Sequence, residues 1–243
     1  GLIGGVLQPL YAGFPVTLLS PAMFLQQPIS WLRAISRYQA TTSGAPNFAY
    51  EFCVKKITEE QRANLDLSSW DVAFTGAEPI RAETLERFAA TFESCGFRAN
   101  AFYPCYGMAE TTLIVSGGVK GLKPAIKIVL KDQLEQNKIV PSAKHNDETL
   151  ILVSCGQTRL DGQIVIAHPN NLTRCLPDEV GEIWVSSGSV AQGYWNRPQE
   201  TEETFRAYLT DSGEGQFLRT GDLGFLQDGE IFITGRIKDL III

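Results

Sequence analysis

The sequence is short of most features that assign a chain to a compartment or a partner. No apolar run approaches the roughly 20 residues that a membrane helix requires, and no basic stretch precedes an apolar one as in a signal peptide. Nothing in the chain therefore predicts a membrane span or secretion. Acidic residues outnumber basic ones 27 to 21, for a net charge of −6. Without a block of Lys and Arg to neutralise a run of phosphates, nucleic acid is excluded as an expected partner. Cysteine lacks pattern: Cys53, Cys95, Cys105, Cys155 and Cys175 are scattered, odd in number and without CxxC spacing. With His145 and His168 as the two histidines, no paired zinc-ligand spacing arises and no cysteine is marked as a nucleophile. A reducing cytoplasm suits such cysteines best. A glycine-rich phosphate cradle is missing too. SGGVKG at Ser116–Gly121 lacks the spacing and the Lys-Ser/Thr ending of a P-loop, and reads as a loop.

What the sequence does have is enough for a sizeable core: 243 residues, 44% of them apolar, allow one large domain or two smaller ones. It opens on Gly1 within an apolar pattern and closes on the β-branched Ile241, Ile242 and Ile243. A complete domain rarely stops inside such a run, so an internal fragment of a longer protein is expected.

Through residue 118, strand-like runs alternate with amphipathic helical ones, the pattern of a parallel sheet flanked by helices. Phe14–Ser20 reads as a strand, Pro28–Tyr38 as a helix with Ile29, Leu32 and Ile35 on one stripe, and Ala40–Ser43 as a short strand. Leu67–Phe74 leads into TGAEPI, and Ala82–Glu93 is a helix with Leu85, Phe88, Ala89 and Phe92 as core. Residues 119–149 are polar with short apolar alternation at Ile126–Leu130, and look like an insertion carrying a small hairpin or helix. From residue 150 to 236, closely spaced strands broken by Gly, Asn and Pro suggest a smaller, mostly antiparallel β subdomain or distorted barrel. One helix interrupts it, opened by Pro198 and followed by Glu200, Glu202 and Glu203, which complement its dipole.

Four strings carry candidate chemistry. TGAEPI (Thr75–Ile80) ends a strand, where ligands collect in open parallel sheets. YGMAETT (Tyr106–Thr112) offers an aromatic ring that could stack on a base and, in Glu110, the hard oxygen that Mg²⁺ prefers. FLRTGDLG and TGRIKDL flank Asp228-Gly229, the strongest short hairpin signal. Folding there brings Asp222 and Arg236 to one end. In strict register Asp222 faces Gly235, so the two charges share a face only if a glycine bulge intervenes. A carboxylate can accept from both ribose hydroxyls, and a guanidinium can pair with phosphate. Each string alone is equally a turn, a helix start or an exposed ion pair.

In this order, and with GLIGGVLQPLYAGFPVTLLSP, SGAPNFAYE, LVSCG and GEIWVSSGSVAQGYWNRPQETEETF, the strings resemble the adenylate-forming superfamily, and within it the fatty acyl-AMP ligases. The resemblance covers essentially the whole chain. It implies ATP and Mg²⁺ as cofactors, a fatty acid substrate, and transfer of the acyl group to the phosphopantetheine thiol of an acyl carrier protein or of a polyketide or peptide synthase. It further implies that Gly76, Ala77 and Glu78 line an adenine pocket, that Tyr106 packs on the base, and that Glu110 binds Mg²⁺ with Thr111 near the α-phosphate. Asp222 would hold the ribose hydroxyls, Arg236 the ribose or phosphate, and Lys238 the hinge to a C-terminal domain, with residues 237–243 as its start. Gly107, Met108 and Ser43–Tyr50 would border the acyl tunnel. Residues 119–149 match the insertion thought to disfavour coenzyme A. The family's upstream phosphate loop and downstream catalytic lysine have no match here, so the chain alone is expected to bind AMP or acyl-AMP weakly. A coenzyme-A-forming ligase and a non-catalytic binding module remain the alternatives, separable by acceptor assays and by an Asp222→Ala variant.

Overall fold

In the computed structural model, which describes residues 1–158 and 161–239, the chain falls into two units: Gly1–Pro104 with Val119–Pro124, and Cys105–Gly118 with Ala125–Ile243. The closing Ile241–Ile243 run lies outside the described residues.

The first unit begins with a π-helical turn (Ile3–Leu7), α1 (Gln8–Ala12) and α2 (Pro21–Gln26). There follow α3 (Ile29–Tyr38), β1 (Thr42–Gly44), α4 (Asn47–Lys56), α5 (Glu59–Arg62), β2 (Val72–Thr75), α6 (Ala82–Phe92) and the first half of β3 (Phe102–Met108). β1, β2 and β3 pair in parallel, Ser43 opposite Ala73 and Ala73 opposite Phe102. Helices supply the crossovers that parallel strands demand. The predicted stripe of α3 is buried, Ile29, Leu32 and Ile35 together with Trp31. In α6, Leu85, Phe88 and Phe92 are buried, whereas Ala89 is half-exposed and Glu93 opens a 3₁₀ turn. Aromatic rings dominate this core. Trp31 meets Trp70 at 5.3 Å and Tyr50 meets Phe88 edge-on at 4.9 Å. The Trp70 indole N–H donates to Ser43 O, so its polar edge is satisfied inside.

Three expected strands change. Phe14–Ser20 forms no strand: Pro15 has no N–H to give a ladder, and Phe14, Val16 and Leu18 are exposed. The strand expected at Ala40–Ser43 begins only at Thr42. Of Leu67–Phe74, only the stretch from Val72 pairs; Leu67 and Trp70 are instead fully buried anchors of the preceding loop.

The second unit holds the rest of β3, then β4 (Leu113–Gly117), β5 (Ile126–Leu130), α7 (Lys131–Glu135), β6 (Thr149–Val153), β7 (Gln157–Thr158), β8 (Gln163–Ala167) and β9 (Gly181–Ser186). After these come α8 (Pro198–Phe205), β10 (Ala207–Tyr208), β11 (Gly215–Gln227) and β12 (Glu230–Arg236). Its pairing is antiparallel throughout the described ladders. At Cys105 the pairing of β3 therefore switches, because residues 109–112 are too few for the crossover that a parallel neighbour needs. Ser116 and Gly117 of SGGVKG end β4 rather than lying in a loop. The polar segment supplies both alternatives: β5 pairs with β6, and α7 follows β5.

β11 is the spine of the other sheet, flanked along its length by β10, β9 and β12. Val129, Leu152, Val180, Leu223, Phe225 and Phe232 form one apolar cluster. Trp184, Leu209 and Phe217 belong to another. α8 opens on Pro198 with Glu200 in its first turn, as read from the sequence. Among the described residues no helix is long and apolar enough to cross a membrane.

Candidate functional site

The β11–β12 hairpin turns on Asp228 and Gly229, both at positive φ (55° and 80°), the geometry of a type I′ turn. From Gln227↔Glu230 to Gly224↔Ile233 the register is strict; it then shifts, so that Leu223 faces Gly235 and Asp222 faces Arg236. This is the bulge that the sequence left conditional. It sets the guanidinium beside the carboxylate, with Arg236 Nε donating to Asp222 Oδ1 at 3.1 Å. On the other oxygen, the Tyr106 hydroxyl donates to Oδ2 at 2.6 Å. Asp222 is nearly buried, at 9% exposure. Burial, and after it the Asp222 charge, hold the Tyr106 phenol far above its ordinary value, so it stays a donor. Residues from three motif strings thus meet at one carboxylate whose oxygens keep lone pairs for a diol.

YGMAETT and the string that begins GEIW also come together. Ala191 N–H donates to Glu110 O at 2.8 Å, Thr112 Oγ1 to Ser189 O at 2.7 Å, and the Tyr194 hydroxyl to Glu110 Oε1 at 2.7 Å. The Tyr194 phenol is pushed up to about 12, by burial first and then by Glu110. Tyr194 was missed from the sequence: it lies in GYW, and nothing local marks a partner so distant in the chain. Glu110 keeps Oε2 without a hydrogen-bond partner among the described residues, so a hard anionic oxygen is left that fits Mg²⁺.

Thr111, expected at a phosphate, is buried with its hydroxyl donating to Met108 O at 2.9 Å. That hydrogen bond closes the local turn. Gly107 is exposed at a register shift where a Cβ would run into the Leu113 carbonyl oxygen, and Met108 is half-buried. Lys238 is exposed in the 3₁₀ turn Ile237–Asp239.

The remaining expected residues belong to the first unit. Gly76 and Ala77 follow β2, and Ala77 takes φ 68°, a strained conformation for a residue with a Cβ. Glu78 Oε1 accepts from Asn47 N at 2.7 Å and Asn47 Nδ2 at 3.0 Å, which puts a carboxylate at the start of α4 where the helix dipole favours it. Asn47 Oδ1 in turn accepts from Arg81 N at 3.1 Å, so one buried asparagine ties the turn to the helix. Within Ser43–Tyr50, Asn47, Ala49 and Tyr50 are buried and Phe48 is exposed.

No disulfide joins the cysteines. Burial pushes the thiols of Cys53 and Cys155 up to about 12 and those of Cys105 and Cys175 up to about 11, which leaves them inert as nucleophiles near neutral pH. The fold does gather His168, Cys175 and Glu179, with ligand atoms within 4.8 Å of one another, a grouping that spacing did not reveal. Glu179 Oε2 is already engaged by Leu176 N–H at 3.0 Å and by His168 at 3.3 Å, as a turn-holding pair.

A family model described as AMP-binding enzyme matches residues 1–195. A medium-chain-fatty-acid–[acyl-carrier-protein] ligase, JamA of Moorena producens, is 54% identical over the whole chain, and TtuA of Teredinibacter turnerae, described likewise, is 42% identical. The chain spans 41% and 39% of those two proteins. The crystal structure of a fatty acyl-adenylate ligase from Legionella pneumophila, in complex with acyl adenylate and pyrophosphate, superposes with a TM-score of 0.94 at 49% identity. All of this chain and 42% of that one are covered.

Proposed function

Because the chain belongs to the AMP-binding enzyme family, we propose that it carries part of the nucleotide site of a fatty acyl-AMP ligase. In that reaction a fatty acid carboxylate oxygen bonds to the α-phosphorus of ATP as the bond to pyrophosphate breaks. A carrier-protein phosphopantetheine thiol then attacks the acyl carbon, AMP leaves and the thiol proton is lost. The observation that carries the reading is Asp222, held between Tyr106 and Arg236 with acceptor capacity to spare. It is supported by relatives named as acyl-carrier-protein ligases.

In this reading Asp222 accepts from the ribose hydroxyls, and Arg236 orients that carboxylate and meets phosphate or ribose charge. Gly76, Ala77 and Glu78 serve adenine, Tyr106 supports the base, and Gly107 and Met108 border the acyl chain. Glu110, aimed by Tyr194, would hold Mg²⁺, which when bound neutralises phosphate charge. Lys238 starts the hinge to a further domain, and residues 119–149 disfavour coenzyme A. The setting is the cytoplasm. The protein's work is positioning and charge stabilisation rather than proton transfer.

The test uses the full-length enzyme, a panel of fatty acids, ATP, and either holo carrier protein or coenzyme A as acceptor. Acyl adenylate that passes to the carrier is expected, while abundant acyl-coenzyme A would make the enzyme a coenzyme-A ligase instead. Pyrophosphate release unchanged in Asp222→Ala would overturn the site.

A further inference from the structure

We infer that Glu182 is a positioning residue for ribose recognition, acting through the backbone that carries Asp222. The inference rests on the acyl-adenylate reading above and deepens it.

β9 and β11 pair in strict register through Leu218↔Val185 and Arg219↔Trp184, and resume at Leu223↔Glu182. Between them Thr220, Gly221 and Asp222 leave the ladder as an excursion of β11. Excursions of this kind are weakly specified unless something ties them down. Here the tie is a buried carboxylate: Glu182 is 2% exposed. Its Oε1 accepts from Gly221 N–H at 3.1 Å, the amide immediately before Asp222. Its Oε2 accepts from Arg219 Nε at 2.9 Å, Arg219 Nη2 at 2.8 Å and Trp184 Nε1 at 2.9 Å.

Arg219 lies over the Trp184 ring, 5.6 Å from its centroid, which limits how the guanidinium can move. Thr220 closes the excursion from within, its hydroxyl donating to Ile183 O at 2.7 Å and accepting from Asp222 N–H at 3.1 Å. Gly221 sits at φ 72°, which lets the backbone reverse there and puts its N–H on the carboxylate. A buried negative charge is costly unless it is fully paired. Three of the four hydrogen bonds found here come from Arg219 and Gly221, in the segment that leads into Asp222, so Glu182 sets where that carboxylate stands without touching substrate.

The full-length enzyme is assayed for pyrophosphate release with ATP and with 2′-deoxy-ATP, for wild type, Asp222→Ala, Glu182→Gln and Glu182→Asp. Glu182→Gln keeps the shape but withdraws the charge. It is expected to raise the KM for ATP about tenfold or more, in line with other residues that orient a ligating group. kcat at saturating ATP should stay within about threefold, and the preference for ATP over 2′-deoxy-ATP should fall about fivefold or more. Glu182→Asp restores the charge and should recover part of that preference. A purely structural role lowers kcat for both nucleotides alike and leaves KM and preference untouched; that result in a folded variant overturns the inference. If Glu182→Gln does not fold, Glu182→Asp decides by the same ratio, and an unchanged preference overturns it. A wild type that makes no acyl adenylate with any fatty acid sinks the underlying reading. An active wild type whose preference collapses in Asp222→Ala but survives in Glu182→Gln sinks the Glu182 role alone.

Discussion

Tyr106 joins burial, charge and recognition in one side chain. Its hydroxyl gives Asp222 a short charge-assisted hydrogen bond from a buried position. Tyr106→Phe removes the donor and leaves the carboxylate less satisfied, so it should lower stability at pH 7 by about 2 kcal/mol, the scale of hydrogen bonds to charged groups. Urea unfolding checks this, and an unchanged midpoint would mean that water replaces the hydroxyl at no cost. Tyr194 plays the matching part for Glu110, since it stays protonated to about pH 12 and so remains a donor at any working pH. Tyr194→Phe in the full-length enzyme should raise the Mg²⁺ concentration needed for half-maximal activity by roughly 10-fold, as lost orienting partners of metal ligands do. An unchanged Mg²⁺ titration would remove Glu110 from the metal.

At the scale of elements, the site depends on places where strands lose register. The hairpin shift lies at Leu223/Gly224, and a Cβ on Gly224 would meet the Phe232 carbonyl oxygen and, at 3.0 Å, Ile183 Cδ1. Gly224→Ala is therefore expected to cost about 1–3 kcal/mol, the range for overpacking a close approach, and to weaken the Asp222–Arg236 pair. Thermal melting measures the first effect and the ATP KM the second. A variant that melts like wild type would mean that the bulge has room to relax.

The same geometry explains what could be read in advance. The α3 and α6 stripes, the Pro198 helix start and the Asp-Gly turn are local rules written within a few residues. The bulge was only conditional, because a one-residue shift depends on packing against a third strand, here β9. The strand expected at Phe14–Ser20 failed for the opposite reason: apolar composition alone supplies no ladder partner. The place of Thr111 near a phosphate came from the resemblance alone, and the string gave no sign that its hydroxyl also closes the local turn. Tyr194 and Glu182 both lie inside the string that begins GEIW, which does not show their tasks, because Glu110 is 84 positions from Tyr194 and Arg219 and Gly221 are 37 and 39 from Glu182.

At the scale of the whole molecule, buried thiols should make stability fall in alkali. Cys53 and Cys155, one in each unit, are raised from the ordinary thiol value of 9.0 to about 12 by burial. Above pH 9 the unfolded chain loses these protons while the folded chain keeps them, so the unfolded state binds fewer and unfolding becomes easier as pH rises. The contribution is intact below the unfolded value and is lost progressively toward the folded one. The Tyr106 phenol, also raised, adds a loss of the same sign at still higher pH. Each such thiol should remove about 1.4 kcal/mol per pH unit once the pH has passed its unfolded value. Urea midpoints at intervals from pH 7.5 to about 10.5 should therefore fall with a steepening slope. The paired replacement Cys53→Ala with Cys155→Ala is expected to start lower at pH 7.5, from the small cavities it leaves, and yet to decline less steeply. Equal slopes in the two proteins would place the alkaline sensitivity elsewhere, and the thiols would then ionise as readily in the fold as out of it.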